Sequence, residues 1–94
     1  MYTVIRSYSG EDASEIFDLI EERSDEVRDL ISDVPGFVNY VAFRTGDGGT
    51  AVTVCQDKEG ADKSTNVAAK WVLENVSTIP PVPHIEEGTT VAQF

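Results

Sequence analysis

The sequence predicts an α+β chain with elements in the order β-α-β-β-α-β, and three observations carry that order. Alternating runs rich in valine, threonine and aromatics lie at the N-terminus, before and after a glycine-rich loop near the middle, and at the C-terminus. Two longer stretches repeat their apolar residues at helical spacing instead. Clusters of Gly, Pro and Asp separate the runs.

Tyr2 to Tyr8 alternates as a strand, with Tyr2, Val4, Arg6 and Tyr8 on one side and Thr3, Ile5 and Ser7 on the other. Ser9-Gly10 ends it. Asp12 and Glu15 have capping-box spacing, and acidic residues crowd the turn that follows, where the helix dipole favours them. A helix is therefore expected from Asp12. Its apolar stripe of Ile16, Ile20, Val27, Leu30, Ile31 and Val34, widened by Phe17 and Leu19, predicts one helix running to Pro35-Gly36. Phe37 to Thr45 and Thr50 to Gln56 are the next two strands.

The loop between them, T-G-D-G-G-T, has the glycine content of a phosphate cradle. Such a cradle needs a helix after it, so that backbone N–H groups and the helix N-terminus converge on the anion. Here a strand follows, so the loop reads as a hairpin, with Asp47-Gly48 as a type I′ pair. Asp57 caps a second helix, with Asp62 as the alternative start, and Val67, Ala68, Trp71, Val72, Leu73 and Val76 form its apolar face. Ser77 to Gly88 holds Pro80, Pro81 and Pro83 and reads as an extended connector. Thr89 to Phe94 is the expected last strand.

This order is ferredoxin-like: a single domain over residues 1–94, with a four-stranded antiparallel sheet and two helices on one face. The other face needs a cover. On the second strand Phe37, Asn39, Val41 and Phe43 share one side and Val38, Tyr40, Ala42 and Arg44 the other, so neither is a clean solvent face. A homodimer is expected, each subunit covering the other's open sheet over about 2,000 Å² or more in total.

Charge and cysteine content narrow the function classes. The net charge is −10, and ten of the seventeen acidic residues lie between Glu11 and Asp33, opposed only by Arg23 and Arg28. Nucleic acid and anionic membrane are not expected partners, because both require a basic footprint. The acidic run reads as a solvated helix face, with a basic partner as the alternative. Cys55 is the only cysteine, which excludes an internal disulfide and fits a reducing, cytoplasmic setting. No apolar run is long enough to span a bilayer.

Several segments carry a family likeness. P-G-F-V-N-Y from Pro35, the G-D-G-G hairpin, V-T-V-C-Q-D-K-E-G-A-D, and A-A-K-W-V-L-E-N-V at the end of the second helix resemble the antibiotic biosynthesis monooxygenase-like family. The resemblance implies a dimeric α+β barrel, in which two sheets close on each other and any pocket lies between sheet and helices. It also implies two kinds of activity, cofactor-independent oxidation of aromatic polyketides and degradation of haem. The haem-degrading branch is marked by an asparagine on the first strand with a tryptophan and a histidine on or near the second helix. Trp71 matches the tryptophan, whereas Arg6 and Ser7 stand where the asparagine would be and His84 falls in the proline connector.

The candidate ligand-binding residues are Arg6, Tyr8, Asn39, Trp71 and His84. Arg6 is a cation on an otherwise apolar strand side, which calls for an acid, a ligand carboxylate or a partner subunit; an ion pair is the expected answer. Tyr8 and Trp71 are amphipathic walls suited to a flat molecule. Asn39 is the polar group on the most apolar side of its strand and needs hydrogen bonds if buried. His84 is a candidate base near neutral pH. No catalytic triad, carboxylate pair or metal-ligand spacing stands out, and no cofactor is expected. Two readings of function follow: a homodimeric barrel binding a small aromatic or apolar ligand, with cofactor-independent oxygenation as its chemistry, or a non-catalytic dimerisation module.

Overall fold

The computed structural model describes residues 1–94. Its elements are β1 (Tyr2–Tyr8), α1 (Ala13–Glu22), α2 (Ser24–Ser32), β2 (Phe37–Thr45), β3 (Gly48–Cys55), α3 (Lys58–Asn75) and β4 (His84–Thr89). The four strands form one antiparallel sheet in the order β2-β3-β1-β4. That is the ferredoxin-like arrangement, so the expected α+β fold is the fold of the chain.

The single long helix expected between Asp12 and Val34 is two. It breaks at Arg23, whose φ of −115° and ψ of +39° leave the helical region. The reason is legible in hindsight. From Glu21 to Glu26 every side chain is polar, so nothing in that stretch has a core to bury into, while Ile16 and Phe17 before it and Val27 and Ile31 after it do. The break lets both halves lay their apolar faces on a curved sheet. Asp12 occupies the N-cap position but makes no side-chain capping bond. Asp57 does cap α3, accepting from the Gly60 N–H at 2.9 Å.

The hairpin turn is displaced by one residue from the expected Asp47-Gly48 pair. Thr45 and Gly48 already pair across the ladder, leaving Gly46 and Asp47 as the loop. Only Gly46 has positive φ, +52°, which places it at the first central position in the type II′ pattern. Gly48 serves a different purpose. A Cβ there would lie 1.9 Å from the Tyr8 carbonyl oxygen and 3.0 Å from the Ala13 methyl, so the backbones can meet only if the side chain is absent.

The last strand also lies earlier than expected, at His84–Thr89 instead of Thr89 to Phe94. His84 therefore belongs to a strand and not to the connector. β4 is an edge strand pairing only with β1; Pro80, Pro81 and Pro83, which suggested an extended connector through Gly88, all precede it, and an edge tolerates Glu86 and Glu87.

Strand register separates two sheet faces. Val4, Arg6 and Tyr8 of β1 share the helix side with Ala51 and Thr53 of β3 and with Tyr40 and Ala42 of β2. Ile16, Phe17, Val27, Ile31, Trp71 and Val72 close the core over them, with the Tyr8 and Phe17 rings edge-on at 6.1 Å. Leu73, expected on the packed face of α3, points outward. The opposite sheet face presents Ile5, Val41, Phe43 and Val52, and Val41 and Phe43 are each 48% exposed. No helix is long and apolar enough to cross a membrane.

These two glycines separate turn strain from backbone clash. Gly46→Ala has open space and should cost only about 1 kcal/mol, the ordinary penalty for a left-handed residue. Gly48→Ala should cost about 3 kcal/mol or prevent folding, because backbone must move to admit the methyl. Urea unfolding of both variants checks the order, and a Gly46 variant weaker than the Gly48 variant would contradict it.

Candidate functional site

Two connected spaces lie between the sheet and its helices. The larger is an open cleft of about 550 Å³ between the α1–α2 elbow and β2, walled by Phe17, Ile20, Val27, Ile31, Phe37 and Ala42, with Asn39, Tyr40 and Arg44 among its polar margin. Behind it is a small interior space of about 20 Å³ bounded by Arg6, Tyr8, Tyr40, Ala51, Trp71 and aliphatic side chains. Ile20, Val27, Ile31 and Tyr40 border both, and Tyr40 is the one of the four with a polar group.

The cleft lies beside the break at Arg23: its lining comes from Phe17, Ile20 and Glu21 on α1, from Ser24, Asp25, Val27, Arg28 and Ile31 on α2, and from the edge strand β2. Its outer lip is an ion-pair cluster: Arg44 on β2 contacts Asp18 at 2.8 Å and Glu21 at 3.0 Å, both on α1. These groups are exposed, so they orient the lip more than they stabilise the fold.

Arg6 is 1% exposed, and the expected ion pair is not what holds it. The guanidinium donates from Nη2 to Thr53 Oγ1 at 2.8 Å, and from Nη1 to Thr65 Oγ1 at 3.1 Å and Ser64 Oγ at 3.5 Å. All three acceptors are neutral hydroxyls. Thr53 comes from β3 and the other two from α3, so one side chain ties three elements together. Its Nε is buried with no acceptor. Burial lowers the guanidinium pKa, an effect opposed by Tyr8, Tyr40 and Cys55.

The two phenols respond in the opposite sense. Burial raises the pKa of both Tyr8 and Tyr40, and the neighbouring Arg6 charge offsets part of the rise. Both are therefore neutral hydroxyls at physiological pH. Trp71 closes the interior space from α3, and its indole Nε1 donates to Glu26 Oε2 at 2.6 Å, which fastens α3 to α2. Trp71 is thus core and pocket wall at once.

Of the residues expected at a site, Arg6, Tyr8 and Trp71 meet around the interior space. Asn39 does not join them. It is exposed on the open sheet face, at the margin of the cleft, so its amide is not the buried group it was expected to be. His84 lies apart on the exposed edge strand, hydrogen-bonded to Glu86 at 3.2 Å. Sequence reasoning missed Tyr40 and Glu26. Tyr40 shares its strand side with Ala42 and Arg44, which gives no face signal, and Glu26 is hidden in the acidic run. No cluster of three or more His, Cys, Asp or Glu side chains suited to a metal ion forms.

No protein-family model matches the chain, and no curated protein matches it in sequence. Solved structures do match in fold. A dimeric ferredoxin-like protein from an uncultured marine organism superposes with a TM-score of 0.63 at 19% identity, over 99% of this chain and 94% of that one. A monooxygenase from the gene ActVA-Orf6 of Streptomyces coelicolor, solved with nanaomycin D, gives 0.64 at 16% identity over 99% and 89%. SnoaB, a cofactor-independent oxygenase from Streptomyces nogalater, gives 0.60 at 17% identity over 99% and 94%. At these identities the likeness is one of fold, and it is the fold that the sequence resemblance implied.

The buried phenols make alkaline stability a readout of this site. Because their folded pKa values lie above the ordinary 10.0, the stability they contribute is complete below pH 10 and is lost as pH rises through the folded values. Tyr8 and Tyr40 should therefore ionise together with alkaline unfolding, followed by tyrosinate absorbance and circular dichroism. Reversible ionisation of all three tyrosines near pH 10.0 in a fully folded protein would contradict the site as described.

Proposed function

We propose that the protein is a homodimer that binds a small, flat, largely apolar molecule in the cleft between the α1–α2 elbow and β2, and that it oxidises this molecule without a resident cofactor. The observation that carries the reading is the cleft itself: about 550 Å³, with nine of its fifteen lining residues apolar and with Glu21, Ser24, Asp25, Arg28, Asn39 and Arg44 as its polar lining. That volume and composition suit a small-molecule site. The fold neighbours described as a monooxygenase and as a cofactor-independent oxygenase support the oxidative part. In such chemistry the substrate supplies the electrons that reduce oxygen. The protein would hold the substrate against the apolar side of the cleft and offer the Tyr40 hydroxyl as a hydrogen-bond donor.

The homodimer is supported by surfaces that one chain leaves uncovered. Val41 and Phe43 on the open sheet face, Ile79 and Val82 in the connector, and Val91 near the C-terminus all expose apolar side chains. A second copy laid on the sheet face would cover several of them, as the dimeric fold neighbour suggests. The lone thiol Cys55 is buried and free, which suits a reducing cytoplasm.

Fluorescence titration tests the ligand. Trp71 is the only tryptophan, so quenching by members of a panel of phenols and quinones reports occupancy without ambiguity. Ala42→Phe places a ring in the cleft and should weaken that binding by roughly tenfold or more while costing little stability. Sedimentation equilibrium in the same buffer should give twice the chain mass. No quenching by any compound, with the dimer intact, would leave a dimerisation module and remove the enzyme reading.

A further inference from the structure

Arg6 is the one charged side chain enclosed in the chain, and nothing in the chain neutralises it. Every ion pair present involves Arg28, Arg44, Lys58 or His84. The three hydroxyls that bind Arg6 are neutral, and Ser64 already commits its own proton to the Ala61 carbonyl at 2.7 Å. Its Nε remains a buried donor without an acceptor. A cation enclosed without a counter-charge is strongly unfavourable, and an unmet donor adds to that cost.

Three sources of negative charge are conceivable, and two fail. The nearby phenols are neutral. A partner subunit covering the open sheet face would sit on the far side of the sheet from Arg6, whose side chain lies under the helices with Val4 and Tyr8. The remaining source is a ligand. The two spaces lie side by side: Arg6 and Tyr40 both border the interior space, Tyr40 also borders the outer cleft, and Thr53, which accepts from Arg6, is Tyr40's ladder partner. At about 20 Å³ the interior space admits one oxygen-sized group and no ring.

We infer that Arg6 anchors an anionic oxygen, so that the ligand is a flat apolar acid whose rings occupy the outer cleft and whose carboxylate or acidic enol enters the interior space that Arg6 and Tyr40 line. This deepens the ligand reading above and rests on it. The rings supply affinity through apolar burial, and the buried cation supplies selection between an acid and its neutral analogue. The chain carries a net charge of −10, so the selection cannot come from long-range attraction.

The test compares 2-naphthoate, its neutral isostere 2-naphthamide, and 2-hydroxy-1,4-naphthoquinone, whose acidic enol is ionised at neutral pH. Binding is read by Trp71 fluorescence and by calorimetry on the intact protein. At least one of the two anions should bind roughly tenfold or more tightly than the amide, and which one does so distinguishes carboxylate from enolate. Added salt should leave that preference in place, because a buried pair is little screened, whereas capture by surface lysines would fade. Arg6→Gln should abolish the preference while amide binding changes less than about threefold. If Arg6→Gln does not fold, Arg6→Lys keeps the charge but loses the forked donors and should show a reduced preference.

Amide binding equal to or tighter than both anions in the unaltered protein would overturn the inference and leave the ligand reading standing. A folded Arg6→Gln that keeps the full preference would overturn it as well. Failure of all three compounds to bind would count against the ligand reading itself, and this inference would fall with it.

Discussion

A guanidinium closed away from water keeps its charge and demands acceptors for its N–H groups, and at Arg6 that demand falls on hydroxyls from β3 and α3. The packing on the helix side of the sheet follows from meeting it. α3 lies over β1 and β3 with Ser64 and Thr65 turned inward where an apolar helix face would ordinarily sit. Further along the same helix Trp71 and Val72 restore apolar contact, so α3 is polar-packed near its start and apolar-packed near its end. Polar acceptors aimed at one buried cation fix how the helix lies on the sheet more narrowly than aliphatic contact would.

The other half of the helix layer obeys a different constraint. α1 and α2 cover the sheet with Ile16, Phe17, Val27 and Ile31, and between them lie six polar residues with nothing to bury. The chain leaves the helical conformation there, and residues of α1, α2 and β2 line the cleft beside it. Trp71 joins the halves: its ring packs in the core while its indole N–H reaches Glu26 on α2. Cleft, interior space and buried charge are thus products of the same packing.

Much of this architecture was legible in the sequence, and the misreadings have physical causes. The second strand was bounded correctly at Phe37 and Thr45 because a helix stop precedes it and a turn follows. Asp57 was readable as a cap because its side chain bonds the backbone in the way the residue type predicts. The break at Arg23 was not readable because the spacing of seven from Ile20 to Val27 continues the stripe across it. The last strand was hidden by the prolines just before it, since Pro80, Pro81 and Pro83 rule out a strand only up to the residue where the pairing with β1 begins. At the site, Arg6 stood out as a cation on an otherwise apolar strand side, and Trp71 through the family likeness. Tyr40 did not, because both sides of its strand are partly apolar. That Arg6 meets hydroxyls and no acid depends on which helix face lands above it, and spacing along the chain does not carry that information.

If Arg6 is an enclosed cation with no counter-charge in the chain, its Nε–H resonance in a ¹H–¹⁵N spectrum reports that state. Arg23, Arg28 and Arg44 are exposed, so their Nε protons exchange rapidly, whereas that of Arg6 is shielded and should persist at neutral pH. With no ligand present, replacing Glu26, Asp57 or Glu87 by the corresponding amide, one at a time, should leave its position unchanged, and adding 2-naphthoate should shift it. A protected Arg6 signal that moves when one of the chain's own carboxylates is removed would reveal an internal ion pair and contradict the account.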